Sequence, residues 1–144
     1  ATILPACREL GISITAYGVL SRGLISGHWQ KGQETSSDFR AYSPRFQKEN
    51  VDRNLALVEV LRKVAKAKGA TVAQMAIAWV VAQGTDIIPL VGSRKRDQLK
   101  ESLGALELKL NSEDLRAIEQ AVPKNAAAGT RYDARQMAYL DSEA

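Results

Sequence analysis

The residues best suited to chemistry lie close together, at Gly92, Ser93, Arg94, Lys95 and Arg96. An apolar, β-branched run over residues 86–91 ends at Pro89 and this glycine-serine turn, and an amphipathic helix follows over residues 97–103, closed by Gly104. A strand that feeds a turn and then a helix N-terminus is a natural anion site. Backbone N–H groups and the helix dipole face the ligand, and neighbouring Arg and Lys add charge. On charge alone, the same pattern is more often a solvated basic turn after a buried strand.

The elements that must position this turn can be read along the chain. Pro5 suits the first turn of a helix and Gly11 its end, so a helix is expected at the very start. The first residue is Ala and the chain opens almost directly into a helix, as a natural protein seldom does; processing or a cut chain would each account for it. Residues 12–17 alternate apolar and polar with β-branched residues and read as a strand, followed by a glycine-punctuated loop over residues 18–27. Residues 28–50 are polar and without sustained periodicity, a loop length that is usually functional. Leu55, Val58, Leu61, Val64 and Ala65 then recur at helical spacing until Gly69. Thr71, with Gln74 three residues later, opens another helix through a capping box. Met75 and Trp79 on that helix are read as core. Asn111 caps a last long helix over residues 112–121 that ends before Pro123, and a short helix is expected near residues 134–140.

Composition bounds the function classes. The chain has 144 residues, is 45% hydrophobic and carries a net charge of +4, enough for one globular domain. No apolar run approaches the ~20 residues of a membrane span, so no membrane partner is expected. The one cysteine, Cys7, rules out an internal disulfide, is assigned to packing, and fits a cytoplasmic setting. Basic residues are interleaved with acids along helices and the eight aromatics are scattered, which argues against a nucleic-acid surface. No metal-ligand pattern is present, and the lone histidine, His28, is read as an ordinary loop residue.

Several motifs, in order, resemble the aldo-keto reductase family. Ile88, Pro89, Gly92, Ser93 and Arg94, followed by QLKESLGA at 98–105, resemble that family's IP…G-(S/T)-(R/K) turn and its LEEN-(L/I)-GA helix. ILPACRELGI and AYGVLSRGLISG are similar to the family's sixth helix and seventh strand, and TVAQMAIAWV to its T-PAQLALAWVL helix. Residues 38–47 resemble a DFR…PRFQ loop. Arg45 and Phe46 there are weighed as a cap over the site against a plain surface loop. Residues 129–132 are similar to the C-terminal G-RY of one branch.

The resemblance spans nearly the whole chain and implies an α/β fold: the C-terminal portion of a (β/α)8 barrel, with strands seven and eight and their helices as a single partial domain over residues 1–144. It implies NADP(H) as cofactor, with Tyr17 stacked on the nicotinamide and Gly18, Leu20, Ser21 and Arg22 along the pyrophosphate. Gly18 and Val19 replace the family's usual Ser-Pro, which removes a hydroxyl and a φ restraint. Gly92, Ser93 and Arg94 would hold the 2′-phosphate, and Gln98, Glu101 and Ser102 the adenosine. Ser102 stands where an Asn is usual.

The family's catalytic Asp, Tyr, Lys and His have no counterpart in this sequence. The implied activity is reduction of aldehydes or ketones to alcohols by the intact enzyme, with this chain alone inactive. The competing expectation is a non-catalytic half-barrel that binds nucleotide or oligomerises. Two unclosed strands leave backbone edges exposed, so the chain is expected to oligomerise or to pair with the missing N-terminal half.

Overall fold

The computed structural model describes residues 3–29 and 39–140. The central part of the expected polar loop, including Asp38, lies outside these residues. Helix α1 (Ile3–Glu9) leads to strand β1 (Ile14–Ala16), and 3-10 turns follow at Ser21–Ser26, Phe39–Tyr42 and Pro44–Phe46. Helices α2 (Lys48–Ala67) and α3 (Val72–Val81) precede strand β2 (Ile87–Pro89). Helix α4 (Arg96–Leu103), a 3-10 turn at Gly104–Glu107, α5 (Ser112–Ala121) and α6 (Ala134–Met137) complete the order. Among the described residues no helix is long and apolar enough to cross a membrane.

The two strands pair in parallel, Ile14 with Ile87, Thr15 with Ile88 and Ala16 with Pro89. A parallel pair needs a long crossover, and α2 and α3 supply it. Each strand has one partner among the described residues and is shorter than the apolar run that announces it; the flanking bonds Ile14 N to Asp86 O and Leu90 N to Ala16 O close the ladder at both ends. Ile14, Ala16, Ile87 and Pro89 share the half-buried face, whereas Thr15 and Ile88 are exposed on the other. The Arg8 side chain ties α1 to the start of β2, donating to Asp86 at 2.8 Å and to the Gln83 carbonyl at 2.7 Å.

The core lies among the helices rather than on the sheet. Val58, Leu61 and Ala65 of α2 meet Val72 and Met75 of α3 and Ile118 of α5. Met75 is fully enclosed and Trp79 packs against the same cluster, as expected of both. A smaller cluster joins Leu24, Trp29 and Phe46, with Trp29 and Phe46 edge to face at 5.1 Å.

Helix starts follow local chemistry. Thr71 accepts from Gln74 N while Gln74 accepts from Thr71 N, and Asn111 and Asp114 repeat the arrangement at α5. Helix α2 begins before the first residue of its apolar period because its opening turn is polar, so hydrophobic spacing carries no sign of it.

Candidate functional site

The turn after β2 faces the loop after β1 across a cleft of about 490 Å³. The parallel pairing makes this inevitable, since both strands deliver their C-terminal ends to the same side of the sheet. Gly18, Leu20 and Arg22 line one wall, and Gly92, Arg94, Gln98, Glu101 and Ser102 the other. Segments about seventy positions apart in sequence thus form one site of the size usual for small molecules.

The loop wall is conformationally strained. Gly18 has φ of 73°, a left-handed value that suits glycine, but Ser21 and Arg22 also sit at 47° and 58°. Each such non-glycine residue costs roughly 1–2 kcal/mol, and this kind of strain concentrates at functional sites. Arg22 is held by its surroundings: Nη1 donates to Ser43 Oγ at 3.0 Å, and the guanidinium lies over the Tyr132 ring at 5.0 Å and the Phe39 ring at 5.5 Å. Arg40 also lines the cleft, stacked over Trp29 at 4.7 Å.

On the helix wall, the Gln98 side-chain oxygen accepts from the backbone N–H of Arg94 at 3.0 Å and of Lys95 at 3.2 Å. Those two donors were expected to face a ligand, and Gln98 occupies them instead. The Gln98 amide oxygen therefore shapes the turn, leaving its NH2 as the group that can reach outward. Ser102 Oγ donates to the Gln98 carbonyl, which leaves it acceptor capacity only. Gly92 has no protein atom within 4 Å of where a Cβ would stand, so its backbone is open to close approach. Ser93 lies beside the cleft rather than in it, and its Oγ is enclosed without a hydrogen-bond partner among the described residues.

Among the described residues, three basic side chains, Arg22, Arg40 and Arg94, line the cleft with one carboxylate, Glu101. That carboxylate is engaged: His28 Nε2 lies 3.0 Å from Glu101 Oε2. His28 is a loop residue, as read from the sequence, and its exposed ring spans to Glu101 on the facing wall.

The Aldo/keto reductase family model matches residues 1–123. The chain belongs to that family. The chain is 45% identical over 131 residues to probable aldo-keto reductase 1 of Glycine max, and 38% identical over 131 residues to aldo-keto reductase yakc [NADP(+)] of Schizosaccharomyces pombe. Each match covers 90% of this chain and 38% of the relative, so the chain spans well under half the length of these reductases. The solved glycerol dehydrogenase AKR11B4 of Gluconobacter oxydans superposes with a TM-score of 0.75 at 31% identity, covering 84% of this chain and 38% of that one.

Within this aldo-keto reductase chain, Tyr17 and Ser21 do not line the cleft. They border a second recess of about 360 Å³, next to it. The Tyr17 hydroxyl meets that of Tyr132 at 2.9 Å. This bond, helped by the positive charges of Arg131 and Arg22, lowers the Tyr17 pKa below its usual value. The same bond and burial raise that of Tyr132 against those charges. Arg45 borders this recess too, its Nε 3.4 Å from the Gly129 carbonyl, while Phe46 is buried against Trp29. Sequence reasoning missed Arg40 and His28. A basic residue and a histidine within a polar loop carry no periodic signal, and their partners are fixed only by the fold.

Proposed function

We propose that this chain is the cofactor-gripping, C-terminal portion of an NADP(H)-dependent aldo-keto reductase that reduces aldehydes or ketones to alcohols. The observation that carries the reading is the cleft itself, which brings Gly18, Leu20 and Arg22 against Gly92, Arg94, Gln98, Glu101 and Ser102. The NADP(+) in the name of the yeast relative supports the same cofactor.

The residues present fit such a ligand. Arg94, with its rigid fork of donors, suits the 2′-phosphate, and the unpartnered hydroxyl of Ser93 becomes a phosphate donor after a side-chain rotation. The open backbone at Gly92 lets the phosphate approach. Gln98 NH2, Ser102 and the second oxygen of Glu101 address the adenosine. Gly18, Leu20 and Arg22 would hold the pyrophosphate, with Ser21 and Tyr17, which border the adjoining recess, next to it; Tyr17 would stack on the nicotinamide. When bound, NADPH would supply the hydride for the carbonyl carbon. In this reading the residues of this chain bind and orient, and the proton donor comes from outside it.

The two strands are read as the seventh and eighth of a (β/α)8 barrel. Exposed Ile88 and Leu90 on and beside β2 then belong to the barrel interior, and the unpaired strand edges receive the remaining strands or a second chain. Absence of internal disulfides suits a cytoplasmic enzyme.

Calorimetric titration with NADPH, NADH and 2′,5′-ADP tests this proposal. NADPH is expected to bind at least tenfold more tightly than NADH, and Arg94→Ala to remove most of that difference, as loss of a charge-assisted phosphate contact does. Equal affinity for the two cofactors would refute the 2′-phosphate assignment. Carbonyl reduction by this chain alone would refute the external proton donor.

A further inference from the structure

The tail that follows α5 forms neither strand nor helix over residues 122–133, so side chains fix its course. Asn54, in the first half of α2 and only 3% exposed, makes the main attachment. Its Nδ2 donates to the Ala128 carbonyl and to the Arg45 carbonyl, both at 3.0 Å, and its Oδ1 accepts from the Ala128 N–H at 2.7 Å. An asparagine amide carries donor and acceptor side by side, as a peptide group does, so it pairs with both backbone groups of Ala128. One buried side chain thus ties the tail to α2 and to the 3-10 turn before it.

Gly129 makes the attachment close. Its φ of 81° is left-handed, and a Cβ there would stand 2.8 Å from the Pro44 carbonyl carbon and oxygen and from Asn50 Nδ2. A side chain at this position would push the tail off the turn. Three residues on, with the Thr130 hydroxyl donating to the Tyr132 carbonyl at 2.7 Å, the tail delivers Tyr132. The Tyr132 hydroxyl meets that of Tyr17 at 2.9 Å, and Arg131 of the same segment bonds Tyr17 as well. Tyr17 is 68% exposed, so the tail holds its hydroxyl while its ring stays open.

We propose that Asn54 and Gly129 are positioning residues for the nicotinamide end of the site: they dock the tail, and the docked tail fixes the Tyr17 ring. The inference rests on the reading of Tyr17 as the residue that stacks on the nicotinamide. A ring already fixed loses less freedom when a ligand stacks on it, and the ligand binds more tightly. Arg22 depends less on the tail, because it keeps Ser43 Oγ at 3.0 Å and the Phe39 ring. The effect should therefore fall on the nicotinamide and spare the adenosine end.

Asn54→Leu, similar in size but without hydrogen-bonding groups, and Gly129→Ala test this in the purified chain. One readout is the pH of the earliest tyrosinate absorbance, which needs no ligand. The other is calorimetric affinity for NADPH and for 2′,5′-ADP, which lacks the nicotinamide. Both variants are expected to move the tyrosinate phase to higher pH, because Tyr132 and Arg131 leave Tyr17. Both should weaken NADPH about fivefold while 2′,5′-ADP changes by less than about twofold. Should Asn54→Leu fail to fold, Gly129→Ala carries the same test from outside the helical core. An unmoved tyrosinate phase overturns the proposal. So does unchanged NADPH affinity, or equal weakening of both ligands, which would make the two residues structural only. Failure of the parent to bind either ligand, with the tyrosinate shift as expected, would refute the cofactor reading of the cleft while keeping Asn54 and Gly129 as the residues that position Tyr17.

Discussion

His28 Nε2 and Glu101 Oε2 stand 3.0 Å apart and join the loop after β1 to the helix after β2 across the cleft. The imidazole is two-thirds exposed, with 67% of the side chain accessible, so solvent screens the pair. An exposed pair of this kind contributes at most about 1 kcal/mol. His28→Ala should therefore shift the urea midpoint only slightly. A loss above roughly 2 kcal/mol would mean that the contact organises the loop rather than merely spanning it.

Acid should weaken the fold through Asp86 and Asp114. The Arg8 guanidinium hydrogen-bonded to Asp86 holds that carboxyl below its ordinary value, and Lys68 at 2.8 Å does the same for Asp114, helped by the Asn111 backbone N–H. A carboxylate with a depressed folded pKa binds fewer protons folded than unfolded. Its contribution is complete above the unfolded value of about 4 and is lost as pH falls through the folded value. Denaturation at a series of pH values should show Asp86→Asn and Asp114→Asn less stable than the parent at neutral pH, with the gap closing in acid. A gap that widened in acid would contradict both pairings.

Much of this was legible because it is local. The caps at Thr71 and Asn111 are signals three residues long, and the α2 core face is a spacing within one helix. The parallel pairing of two short apolar runs puts Gly18 and Gly92 on one side, which the order of motifs also implies. Illegible features join distant positions. His28 and Glu101 are 73 residues apart and Tyr17 and Tyr132 are 115 apart, and each pair makes chemical sense only once the fold brings it together. Gln98 closing the turn was hidden for another reason. It stands at capping-box spacing from Lys95, but a lysine cannot accept the reciprocal bond, so half of the usual signal is missing.

Tyr17 should titrate before the other member of its pair. The Tyr132 O–H and the nearby Arg131 and Arg22 charges favour its ionised form. Tyr132→Phe removes the donor, so the earliest tyrosinate absorbance should move to higher pH. An unchanged early phase would show that the arginines alone set it.

Removing the enclosed Met75 side chain should cost about 2–5 kcal/mol, because a cavity stays open among Val58, Leu61 and Ile118. Thr71→Ala, which leaves the core intact and deletes one cap, should cost about 1 kcal/mol. Chemical denaturation that ranked these two in reverse would place the main stabilising contacts elsewhere than between α2, α3 and α5.

Arg22 joins strain to function. Its φ of 58° costs roughly 1–2 kcal/mol that a glycine would avoid. Against that stand the bond to Ser43 and the ring contacts with Tyr132 and Phe39, each worth about 0.5–1 kcal/mol. These terms nearly cancel, so Arg22→Gly should change stability by less than about 1 kcal/mol. Binding should respond quite differently, because Arg22 borders both the cleft and the recess. The variant is expected to lose affinity for 2′,5′-ADP about tenfold. Arg22→Ala removes the same charge but keeps the strain, and should bind as weakly while unfolding at lower urea than the glycine variant. If both variants bound 2′,5′-ADP as the parent does, the arginine would be serving the loop alone, and its unfavourable backbone would have no explanation in ligand binding.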